Sequence, residues 1–140
     1  MKINSIEYNQ TLLDVGLLIF RVFLGVALIT HGLPKLTMLF SGEKIEFMSF
    51  LGLSPEFSLG LVVFAEFFCA IFLILGLFTR VSLIPPIIVM LVAAFGVHLK
   101  DGFGEMEHAL LFLAGFIILL ITGPGKFSVD GMTYKKNDGW

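Results

Sequence analysis

Two ionisable side chains stand deep inside long apolar runs. Arg21 lies within LLDVGLLIFRVFLGVALIT and Glu66 within LGLVVFAEFFCAIFLIL. A charge held at the middle of a bilayer costs about 2.5–3.5 kcal/mol on insertion scales, so each needs a partner or a wet cavity. Counted along the chain, Arg21 is ten residues before His31 and Glu66 eleven after Pro55. At 1.5 Å per residue these offsets are about 15 and about 16 Å. In antiparallel neighbours they bring the two side chains to similar depth, so the simplest expectation is a buried Arg21–Glu66 ion pair. Such a pair either marks a functional site or only specifies how two helices pack.

Three histidines form a second pattern. His31 closes the first apolar run, His98 closes the third and His108 opens the fourth. With Lys35, Glu105 and Glu107 they are expected at one membrane face, above the Arg21–Glu66 level. Neutral imidazoles there can ligate a metal, relay protons or hydrogen-bond a quinone carbonyl, or simply meet water and headgroups. The spacings contain no HExxH and no His-x₃-His, so no metal site is expected. No CxxCH marks a covalent haem. Cys69 is the single cysteine, which excludes an internal disulfide and a CxxC couple. Glu105 and Glu107 are two apart and do not share a helical face. Nothing has the pattern of a self-contained catalytic site, so whether the chain is itself an enzyme stays open at this point.

The elements that must hold these side chains follow from hydropathy. Of 140 residues, 57% are hydrophobic and 14% charged, with a formal net charge of −2. Mean hydropathy is +0.98. So small a body cannot hide this excess, since a soluble domain of about 150 residues leaves roughly 30% of its unfolded surface exposed. The excess must face lipid. No basic face is present, which argues against a nucleic-acid partner.

Four apolar stretches have the length of spanning helices: about 12–33, 55–78, 82–99 and 107–122. Because lipid leaves no backbone group unpaired, they are expected to be α-helices, giving an all-α, antiparallel four-helix membrane bundle over 12–125. Residues 1–11 read as a polar N-terminal segment and 126–140 as a polar tail. The first run has no A-x-A cleavage site and is expected to stay as an anchor; no lipidation box is seen. Gly32 and Pro34 are expected to end span one. Ser54-Pro55-Glu56 has the cap, the proline and the acid of a helix start. Span four looks short and has room to begin earlier in its loop. In the long link, Ile45, Met48 and Leu51 recur every third residue of IEFMSFLGL. Either a short interfacial helix or an apolar loop packed on the bundle accounts for that pattern. Lys2, Arg80, Lys126, Lys135 and Lys136 on one side, against Lys35, Lys44 and Lys100 on the other, favour cytoplasmic termini.

The motifs together resemble those of the DoxX family. RVFLGVALITHGLPKL is similar to that family's first span, and FAEFFCAIFLILGLFTR to its second. VHLKDGFGEMEHALLFLAG is similar to its third-to-fourth junction, and GPGKFSVD to its close. The resemblance runs from about Leu17 to Asp130. It implies a four-span protein of the bacterial inner membrane and points to Arg21, His31, Lys35, Glu66, His98 and Glu107 as the matching polar positions. His108 stands where members often carry an aromatic. The family takes its name from a subunit of an archaeal thiosulfate:quinone oxidoreductase, which implies a redox role with quinone as the lipophilic ligand and a soluble or membrane redox partner.

Three functions remain in view. One is a quinone-facing subunit, in which Arg21, His31, Lys35, Glu66, His98, Glu107 and His108 surround the ligand. The second is a non-enzymatic anchor whose polar residues only specify packing. The third is a small transporter or proton path acting as a homo-oligomer.

Overall fold

The computed structural model describes residues 9–134. The chain there is all-helical, with no strand among the described residues. Four helical stretches are long and apolar enough to cross a membrane: Gln10–Phe40, Pro55–Leu75, Thr79–Val97 and Phe103–Thr122. They are spans one to four.

Span one is the single helix α1 (Gln10–Phe40). Asn9 caps it, its side chain accepting from the N–H of Thr11 at 2.9 Å and of Leu12 at 3.3 Å. The expected stop at Gly32 and Pro34 does not occur, because the helix continues through Pro34 to Phe40. Proline removes one N–H from the ladder and frees the carbonyl four residues back, here that of the exposed Thr30. Lys35, the next residue, is tied to a neighbouring helix and holds the extra turns in place.

Span two begins as α2 (Pro55–Val63), widens into a π turn at Phe64–Phe68 and ends as α3 (Cys69–Leu75). Ser54 accepts from the N–H of Phe57 at 3.2 Å, and Pro55 and Glu56 come next as expected for a helix start. Gly76 closes the span at φ +67, a left-handed position that glycine reaches without strain. Leu77 N–H returns to Phe72 O and Gly76 N–H to Leu73 O, which satisfies the last carbonyls.

Span three is α4 (Thr79–Ser82), then α5 (Ile84–Leu91), then a second π turn at Val92–Val97. It starts at Thr79, so the residues expected as a link are its first turn. Pro85 and Pro86 fall in the first turn of α5, where missing N–H groups matter least. Span four is α6 (Phe103–Thr122), 20 residues long, having begun four residues earlier than its apolar run. A five-residue helix, α7 (Val129–Thr133), lies across the end of the bundle.

The link 41–54 forms no helix. The interfacial-helix expectation is therefore corrected in favour of the packed loop. Gly42 and Gly52 hold positive φ, and Phe50 N–H donates to the buried Ser58 hydroxyl at 2.9 Å. Phe47 and Phe50 are half-buried and share a cavity wall with residues of spans two and three, whereas Leu51 is 85% exposed.

The core runs along the bundle axis through Leu24, Leu28, Leu73, Leu83, Met90, Phe116 and Leu119, all buried. Outward positions such as Ile19, Phe23 and Ile121 are well exposed, as lipid contact requires. Spans one and two touch closely: Gly32 packs on the backbone of Glu66, and Gly76 on the guanidinium of Arg21. Any side chain at Gly32 would collide with the Glu66 carbonyl. Arg80 and Lys126 lie toward the end where α1 begins, and Lys35, Lys44 and Lys100 toward the other. Lys2, Lys135 and Lys136 lie outside the described residues.

Candidate functional site: an apolar cavity with a charged floor

The register between spans one and two separates the two charges expected to meet. Gly32 is level with Glu66, and Arg21 is level with Gly76. Eleven residues part Arg21 from Gly32, or about 16 Å along the axis. The Arg21–Glu66 pair is thus corrected. Taking His31 as the end of span one misplaces the arginine, because the helix runs on to Phe40 and carries Arg21 toward the opposite face.

Glu66 pairs instead with Lys35, whose Nζ donates to Oε2 at 2.5 Å. The carboxylate is 3% exposed and the lysine side chain 29%. The lysine stem can follow the helix surface while its head turns inward. Glu66 sits in the π turn Phe64–Phe68, where one extra residue per turn reorients the side chains beyond it. Two charges in a dry interior repay their desolvation only when they are paired at close range, and this geometry meets that condition.

The pair borders a cavity of about 580 Å³. Lys35 comes from α1, Ala65 and Glu66 from span two, Ile88 and Val92 from span three, and Phe47, Met48 and Phe50 from the 41–54 link. Lys35, Ser58, Glu66 and His98 are the polar members of a wall otherwise made of apolar side chains. Both π turns among the described residues contribute to it, and π turns recur at functional sites. Size and lining suit a small lipophilic molecule with one polar end.

His98 stands at the end of the second π turn, its N–H bonded to Ala93 O at 3.0 Å. Its Nδ1 lies 3.1 Å from the Asp101 carboxylate. His31 and His108 meet elsewhere, at the seam of α1 and α6. Their rings are 5.9 Å apart edge to face, and Phe112 packs on His31 at 5.7 Å. Both histidines are exposed, as are Glu105 and Glu107, and neither histidine lines the cavity. Among the described residues no cluster of three or more metal-ligating side chains forms. Of the residues singled out, then, Lys35, Glu66 and His98 converge. His31 and His108 pair with each other, Glu107 faces outward, and Arg21 belongs to another centre.

That second centre locks the far end of the bundle. Arg21, 1% exposed, donates to three backbone carbonyls: Ile74 O at 3.4 Å, Pro124 O at 2.5 Å and Phe127 O at 2.9 Å. A cation at the end of α3 also meets the negative pole of that helix. Asp14 accepts from Lys126 N–H at 3.1 Å. Asp130 accepts from Phe78 N–H, Thr79 N–H and the Thr79 hydroxyl, each at 2.8 Å. Partial burial works to raise the Asp130 carboxyl. The Thr79 and Phe78 hydrogen bonds and the Arg21 charge outweigh it and hold the carboxyl below its ordinary value. The segment GPGKFSVD is thereby tied to spans one, two and three.

Asp14, Asp101 and Asp130 were not singled out from sequence. Asp14, a carboxylate inside the first apolar run, carried the same signal as Arg21. Asp101 and Asp130 sit in polar stretches, where an aspartate is unremarked.

The profile of the DoxX family matches residues 16–99. An Escherichia coli (strain K12) protein named "Inner membrane protein YqjF" is 34% identical over 88% of this chain and 95% of its own length. A Bacillus subtilis (strain 168) protein named "Putative oxidoreductase CatD" is 30% identical over 87% of this chain and 90% of its own. A second Escherichia coli protein, "Inner membrane protein YphA", is 34% identical over 83% and 89%. No solved structure matches the chain.

Proposed function

The chain belongs to the DoxX family, and from that premise we propose that it serves as the inner-membrane subunit of a quinone-linked redox complex, with the Lys35–Glu66–His98 cavity as its quinone site. The observation that carries this reading is the cavity: about 580 Å³ of apolar space with an ion pair at its floor and an imidazole in its wall. A quinone offers two carbonyl acceptors on a flat apolar ring and takes up electrons and protons there. Lys35 keeps N–H groups beyond the one given to Glu66, and it is the cation that would hold one carbonyl. Phe47, Phe50 and Phe64 supply aromatic wall for the ring. The tail leaves between helices into lipid. The chain has no dithiol couple of its own; electrons reach the cavity from a partner protein. The oxidoreductase name carried by the Bacillus subtilis relative agrees with this reading.

The test is extraction. The protein is purified in mild detergent and its lipid extract read for quinone absorbance, alongside Glu66→Gln and His98→Ala. We expect quinone with the native chain and at least a several-fold loss in the variants. Quinone retained in full by both variants would overturn the reading.

The anchor reading draws on one observation: Arg21, the most deeply buried charge among the described residues, gives three hydrogen bonds to backbone carbonyls and lines no part of the cavity. A native chain that folds, binds its partner and yields no quinone would favour it.

A further inference from the structure

One polar group of the cavity wall has its other partner outside. The closing bond from His98 N–H to Ala93 O spans five residues. A π turn of this kind advances the residues beyond it by about 100° relative to an unbroken α-helix, and His98 falls on the cavity wall. Asp101, three residues on, meets Nδ1 at 3.1 Å. The aspartate side chain is 52% exposed and the histidine side chain 35%. A carboxylate only accepts hydrogen bonds, so Nδ1 carries the hydrogen. Nε2 has no hydrogen-bond partner among the described residues. With the ring neutral, Nε2 is therefore a bare acceptor; with the ring protonated, it is a donor.

Lys100, two residues on from His98, is exposed. Lys35 from α1 and Glu66 from span two share the cavity and pair with each other. Glu105 and Glu107, in the first turns of the α6 helix that packs on this π turn, are both exposed.

We propose that His98, oriented by Asp101, is the residue that selects the oxidation state of the ring in the cavity, and that its protonation reverses the preference. The inference rests on the quinone reading above. A quinone presents only acceptors and is held by protonated His98 through Nε2–H. A hydroquinone presents hydroxyl donors and is held by neutral His98 through the Nε2 lone pair. Asp101 is a positioning residue: it fixes which nitrogen faces the cavity and touches no ligand. Because both side chains are partly exposed, protons exchange with water there without crossing the apolar wall.

The test uses the full chain in lipid nanodiscs and two probes, a decyl-tailed benzoquinone and the same molecule kept reduced by excess dithionite. Neither titrates between about pH 5.5 and about pH 8, the range in which imidazole changes charge. Dissociation constants are measured by calorimetry at both ends. We expect the quinone to bind about tenfold tighter at the lower pH and the hydroquinone about tenfold tighter at the higher, the difference between a charge-assisted bond and two facing acceptors. His98→Gln is expected to bind both probes with the pH contrast gone. Asp101→Ala is expected to shrink the contrast, and Asp101→Asn, which keeps an acceptor for Nδ1–H, to restore part of it. An unchanged contrast in His98→Gln, or a contrast abolished by Glu66→Gln alone, overturns the inference and leaves the cavity reading standing. A native chain that binds neither probe overturns both.

Discussion

Lys35 and Glu66, 31 residues apart in the sequence, meet at 2.5 Å between the first and second spans. Among the described residues Glu66 pairs with Lys35 and not with Arg21. Gly32 makes it possible by bringing α1 onto the backbone of Glu66. The lysine one turn beyond then reaches the carboxylate.

Removing one partner is expected to do more harm than removing both. Glu66→Leu leaves Lys35 facing an apolar cavity without its counter-ion, a loss of about 2–4 kcal/mol for a pair this buried on one side. In the double variant Lys35→Met with Glu66→Leu, most of that loss is recovered. A thermal-unfolding cycle in detergent measures the coupling, and additive losses would show that the pair contributes nothing.

Arg21→Lys is expected to destabilise the chain despite keeping the charge. A lysine ammonium cannot span carbonyls of Ile74, Pro124 and Phe127 from one planar group. At least one carbonyl then loses a charged donor, for about 1.5–3 kcal/mol. Limited proteolysis reports it: segment 123–133 becomes cleavable before the spans do. Equal protection in both proteins would refute the lock.

Acid should loosen the same segment at a definite point. The Asp130 carboxyl sits below its ordinary value in the folded chain, so its contribution is complete above the unfolded carboxylate range. It is lost as pH falls through the lowered folded value. The melting temperature of the native chain should therefore fall more steeply on acidification below about pH 4 than that of Asp130→Asn. Parallel pH profiles would remove Asp130 from the account.

Five lysines and arginines on the side of Lys2, Arg80, Lys126, Lys135 and Lys136, against three on the side of Lys35, Lys44 and Lys100, lead us to expect cytoplasmic termini. Arg80 and Lys126 mark the first side; Lys44 and Lys100 mark the second. A cysteine placed by Lys44→Cys should react with an impermeant maleimide on intact cells, and one placed by Lys126→Cys only after permeabilisation. Native Cys69 is buried and should stay silent. The reverse pattern would invert the topology.

Composition and punctuation alone determined that this chain is a four-span helical membrane protein. Both are local properties: a run of apolar residues must be helical in lipid wherever it sits, and Ser54-Pro55 starts a helix by its own chemistry. Sequence also identified Lys35, Glu66 and His98 as polar residues in need of an explanation. It could not pair them. Which charge meets which depends on how far two helices slide past each other. That register was set by Gly32 and Gly76 at the contact and by a helix that ran through Pro34. The two π turns shifted the side chains after them, and no residue pattern announces such an insertion. The cavity, the carbonyl cage around Arg21 and the His98–Asp101 contact exist only once four spans and a loop are packed together, because each depends on segments that the linear sequence leaves unplaced.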